Sequence, residues 1–116
     1  MKQLTTDEFN TTVVDTNNPH AVYGGDKIAI VDFYADWCGP CKVLGPVLEE
    51  VEKENSDTVV LYKVDVDAET VLSQKFGIRS IPTVVYFKKG KRTPLLTLGN
   101  IAKSQIEEVI KELESK

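Results

Sequence analysis

Apolar and polar positions change period several times along this chain, and the changes divide it into elements. "KIAIVDFYA" (27–35) is a near-continuous apolar run of strand length, the kind that suits a strand covered on both faces. "TVVLYKVDV" (58–66) and "TVVYF" (83–87) repeat that signature. In "RTPLLTL" (92–98) Pro94 demotes a weaker run to a sheet edge, and "KKGK" before it reads as the turn of a hairpin. Between these runs the period lengthens. Val43, Leu44, Val47, Leu48 and Val51 recur at helical spacing, with Glu49, Glu50 and Lys53 on the opposite side. They predict an amphipathic helix to about Asn55, bent at Pro46, where a backbone donor is missing. Thr5 to Glu8 has the form of a capping box opening a short helix through about Val14. Glu69 to Phe76 makes another short helix, stopped by Gly77. Ile106, Val109, Ile110 and Leu113 give the closing helix, near 102–115, its apolar face. Helices interleaved with strands, then a hairpin, then a helix predict an α/β fold with a mixed sheet between helices. The polar stretch "NNPHAVYGG" (17–25) has no role assignable from its residues.

A chain of 116 residues is one domain's worth, so a single domain over 1–116 is expected. The net charge of −4 is small and spread along the chain, which argues against a nucleic-acid groove. No stretch approaches the roughly 20 apolar residues that a membrane helix needs. "MKQLTTDEFN" lacks the apolar centre of a secretory signal, so a cytoplasmic protein is expected. Two cysteines are too few for a disulfide scaffold, and in that compartment a CxxC is more often redox-active or metal-binding than structural.

Both cysteines lie in "ADWCGPCKV" (35–43), at the start of the bent helix. Pro40 suits the first helical residue, because its missing N–H would be unpaired there anyway. That puts Cys38 just outside the helix and Cys41 in its first turn. Unpaired N–H groups and the positive end of the helix dipole favour a thiolate at Cys38, the species that attacks disulfides. The expected geometry is an exposed attacker, Cys38, beside a shielded resolver, Cys41. Metal binding is the competing reading. A closed zinc site needs four ligands, and neither a second CxxC nor a histidine pair exists. His20, the one histidine, sits in a polar loop and reads as solvated. No metal is expected.

Two charged residues interrupt apolar strands. Asp32 in "IAIVDFY" is costly to bury without a purpose, and burial should raise its pKa into proton-transfer range. It could equally be a strand-end carboxylate paired to a backbone donor. Lys63 in "VVLYKVDV" could pair with Asp32, or be a lysine snorkelling from an edge strand.

"VDFYADWCGPCK", "KVDVD" and "GIRSIPTVVYFKKG", in that order, resemble the thioredoxin family from about Lys27 to the C-terminus. The resemblance implies the thioredoxin fold: a central mixed sheet of about five strands flanked on both faces by about four helices. It implies a protein disulfide reductase in which Cys38 attacks and Cys41 resolves. Asp32 would be the buried acid that helps deprotonate Cys41, with Lys63 modulating its proton affinity. The Ile81-Pro82 bond would be cis and face the cysteines, leaving the Ile81 backbone to bind an extended substrate segment. Trp37, Gly39, Pro40, Val66, Ile81, Pro82, Leu98 and Gly99 would rim a shallow, permissive substrate groove. Each of these also has an ordinary packing reading, and Gly99 a plain turn reading.

No cofactor motif appears, so electrons would come from a thioredoxin reductase and pass to disulfide-containing proteins. The expected protein is a monomer. Gly39-Pro40 lacks the histidine that oxidants and isomerases of the wider superfamily usually carry there, which favours a reductant. An oxidase or isomerase is the nearest rival, and a redox-independent binding module is the rival from another class. The family often has a second tryptophan where Tyr34 stands. That leaves Trp37 as the only tryptophan, beside the redox pair.

Overall fold

The computed structural model describes residues 1–115 and, within them, five strands and four helices. In chain order these are β1 (Lys2–Gln3), α1 (Thr6–Thr12), β2 (Ile28–Tyr34), α2 (Gly39–Glu54), β3 (Val59–Asp65), α3 (Thr70–Lys75), β4 (Thr83–Phe87), β5 (Leu95–Leu98) and α4 (Lys103–Glu114). One mixed sheet runs β1-β3-β2-β4-β5, with β1, β3 and β2 parallel and β4 and β5 antiparallel to their neighbours. The expected α/β architecture is present. β1 was not anticipated, because two exposed residues carry no periodic signal; it is recruited by pairing with Tyr62 and Lys63.

β2 lies at the centre of the sheet, which is why its apolar run has so few polar breaks. Ile28 and Ile30 face a largely aliphatic core with Leu44, Leu48 and Val51 of α2 and Ile106, Ile110 and Leu113 of α4, with Tyr86 its one aromatic member among the fully buried residues. Ala29, Val31 and Phe33 face a second core with Phe9 of α1, Leu72 of α3 and Phe87. Phe76 bridges that second core edge-on, 5.4 Å from Phe9 and 6.0 Å from Phe87.

The local signals act as the residues suggest. Thr5 Oγ1 accepts the Glu8 N–H at 3.1 Å and Glu8 accepts the Thr5 N–H at 3.0 Å, which closes the capping box of α1. At α4 the Gln105 side chain accepts the Ala102 N–H at 2.8 Å. α2 runs unbroken through Pro46. Gly77, at φ +63°, supplies the left-handed residue just after α3.

The 17–25 stretch turns out to close the aromatic core. Tyr23 is buried against Phe87, its hydroxyl donates to the Lys27 carbonyl at 2.7 Å, and its own carbonyl accepts the Gly90 N–H. Lys75 pins the other end through Asn17 at 2.6 Å.

Candidate active site

Cys38 is the N-cap of α2, with extended backbone at φ −85° and ψ 107°, and Gly39 is the first helical residue. The helix thus starts one residue earlier than Pro40, which occupies its second position. The Cys38 sulfur accepts the Cys41 backbone N–H at 3.2 Å, so the helix end presents a donor directly to this sulfur. The two cysteines, with Cα atoms 5.3 Å apart, are joined as a disulfide. The expectation of an exposed attacker needs correction. Cys38 is 4% exposed and Cys41 5%, so in the disulfide form both are nearly covered. The cover is tertiary: Tyr34, Ala35, Val66 and Ile81 pack around the pair, and the Ile81 carbonyl oxygen lies 3.8 Å from the Cys38 sulfur.

The Ile81-Pro82 peptide is cis, as the resemblance implied. Ile81 is half-buried beside the disulfide, while Pro82 is buried and its carbonyl accepts the Gly99 N–H at 2.8 Å. Gly99 has φ +73°, a left-handed turn position that glycine adopts without penalty. Nothing among the described residues lies within 4 Å of where its Cβ would be, so its backbone conformation accounts for the glycine. Leu98 is exposed, as are Gly39 and Pro40, and Val66 is half-buried with its N–H donating to the Tyr34 carbonyl. Trp37 stands 71% exposed, steadied by its indole N–H, which donates to Asp67 at 2.7 Å. Asp67 is a partner that sequence reasoning missed. It lies 30 residues away, at the end of "KVDVD", and nothing in either segment pairs the two residues.

Asp32 is 3% exposed, and its Oδ1 has no hydrogen-bond partner among the described residues. That removes the reading of a fully paired strand-end carboxylate. Burial pushes its pKa up from 3.8 to about 7, partly opposed by the positive charge of Lys63. A cavity of about 260 Å³ connects Asp32, Cys41 and Lys63 between the sheet and α2. Asp32 and Lys63 are direct neighbours in the β2–β3 register. Even so, no ion pair joins them among the described residues, and the Lys63 ammonium instead lies 5.5 Å from the centre of the Tyr34 ring. The close Asp32–Lys63 pair considered from sequence is therefore replaced by an interaction through space.

Among the described residues, no group of three metal-ligating side chains converges anywhere. The disulfide, its helix-end donor and the buried carboxyl make a two-electron thiol–disulfide centre with a proton acceptor nearby.

The chain is similar to known proteins. The thioredoxin family profile matches residues 1–112. The thioredoxin of Borreliella burgdorferi is 36% identical over 110 residues, covering 94% of this chain and 93% of that one. That of Malassezia sympodialis is 45% identical over 85 residues, 72% of this chain and 81% of that one. The crystal structure of chloroplastic thioredoxin z, described as defining a type-specific target recognition, superposes with a TM-score of 0.85. It is 30% identical, with 100% of this chain and 96% of that chain covered.

Proposed function

The chain belongs to the thioredoxin family, and from that premise we propose that it is a general protein disulfide reductase acting as a single domain over 1–116. Thiol-disulfide oxidoreductase activity comes with the family. The direction and the residue roles are our reading. One observation carries it: a disulfide capping a helix end, with an unpartnered buried carboxyl on the same cavity.

In the reduced protein the Cys41 N–H and the helix end favour the Cys38 thiolate. That thiolate attacks one sulfur of a target disulfide, the target S–S bond breaks, and a mixed disulfide forms while the other target sulfur leaves as a thiolate that takes a proton from water. Asp32 takes the proton of Cys41 through the shared cavity, and Lys63 tempers the carboxyl's affinity for it. The Cys41 thiolate then attacks the Cys38 sulfur. The target departs reduced by two electrons, and the Cys38–Cys41 disulfide is restored.

Val66 and Ile81 pack against the pair, with the Ile81 backbone offered to an extended segment, and Trp37, Gly39, Pro40, Pro82, Leu98 and Gly99 are assigned to the rim of the same substrate groove. Thioredoxins generally need no bound cofactor. We place the electron source in a thioredoxin reductase and the protein in the cytoplasm as a monomer. The absence of histidine between the cysteines supports a reductant over an oxidase.

The test is trapping. The Cys41→Ser variant should hold many unrelated proteins on Cys38 from a cell extract, and the native protein should reduce insulin, with Trp37 fluorescence following the redox state. Capture of a single dedicated partner, or unreduced insulin, would overturn the general-reductase reading.

A further inference from the structure

Lys63 poses a question that the mechanism leaves open. Its strand position is directly opposite Asp32, whose Oδ1 is unpartnered, yet its ammonium does not bond that carboxyl. A buried acceptor and a flexible cation on adjacent positions ordinarily find each other. The aromatic neighbour of that ammonium is Tyr34. It follows Asp32 by two residues on β2, so both side chains leave the same face of the sheet, and its ring lies 5.5 Å from the Lys63 nitrogen. The ring also lines the cavity that holds Asp32 and Cys41.

We propose that Tyr34 is a positioning residue for proton transfer: its ring face holds the Lys63 ammonium out of bonding reach of Asp32. This rests on the proton-acceptor role of Asp32 given above. Held on the ring, Lys63 acts on the carboxyl only through space. Bonded directly, it would lock Asp32 as a permanent carboxylate, a weaker base for the Cys41 thiol. The other charged groups on the cavity are Asp36 in the turn after β2, Lys42 and Glu49 on α2, and the Met1 amino group, which pairs with Glu52 at 3.2 Å. β4 sets apolar Val84 beside Asp32, so no charge reaches it from that side.

The experiment follows the Asp32 carboxyl by ¹³C NMR across pH in the oxidised protein, where neither cysteine titrates. Tyr34→Phe keeps the ring face and should keep the native midpoint. Tyr34→Leu frees Lys63 to bond Asp32, and the midpoint should fall by about one pH unit or more. A fluorinated phenylalanine at position 34 keeps the shape but withdraws charge from the ring face, and should lower the midpoint in the same direction. In a Lys63→Met background all these differences should vanish except a small one from water entering beside leucine.

An unchanged midpoint with the fluorinated ring overturns the proposal, as does a fall for Tyr34→Leu that persists in full without Lys63. If Tyr34→Leu does not fold, the fluorinated variant decides alone. The parent reading fails differently: Asp32→Asn resolving mixed disulfides at the native rate would remove the acid's role while leaving the titration result standing.

Discussion

The two faces of the central sheet are built from the same strands and do different things. Toward α1 and α3, β2 presents Ala29, Val31 and Phe33, all 0% exposed, into a core rich in aromatic rings. Toward α2 and α4 it presents Ile28 and Ile30 and then Asp32 and Tyr34, so this face starts as aliphatic core and ends as a cavity with an unpartnered carboxyl. One face is sealed along its length. The other is left open at the end where α2 delivers the cysteines. A sealed hydrophobic face can stabilise a domain that carries a destabilising buried acid on its reverse.

The largest expected break in this comparison is on the sealed face. Phe33→Ala removes a fully buried ring that packs 5.6 Å from Phe76. It should lower unfolding free energy by about 4 kcal/mol, measured by denaturant melts, while the reduction potential of the cysteine pair stays at the native value.

The opposite sign is expected one residue away. The Asp32 carboxyl is held at about 7 instead of 3.8, so the folded state binds a proton more tightly than the unfolded chain does. Its stabilising contribution is complete below pH 4 and is lost as pH rises through about 7. Asp32→Asn should therefore stabilise the protein above neutral pH, by on the order of 3 kcal/mol, with the gain shrinking toward pH 4. The same variant should slow release of the mixed disulfide. Melts at pH 5 and pH 8 check the first expectation, and a gain independent of pH would show that Asp32 ionises normally.

The smallest effect sharpens the contrast. Thr5→Ala opens the capping box of α1, outside the cavity lining, and should cost about 1 kcal/mol with no change in insulin reduction.

Much of this was legible along the chain because its signals are local. The capping box needs only Thr5 and Glu8, and the buried strands announce themselves as apolar runs. The position of Cys38 at a helix start follows from Pro40 and the periodic residues behind it, to within one residue. The interruption of β2 by Asp32 is equally visible, and burial alone explains its raised proton affinity. Other features had no such signal. β1 exists only because β3 offers an edge. Tyr23 matters only because a gap in the aromatic core receives it.

Sequence by itself therefore determined the four helices, the strands β2 to β5 and the redox pair, since each depends on residues within a turn or two of one another. Only the tertiary structure decided how covered Cys38 is, that Asp67 holds Trp37, and that Lys63 rests on Tyr34 instead of bonding Asp32. Those outcomes arise where separate segments meet, and packing, not chain order, chooses among the partners that a flexible side chain can reach.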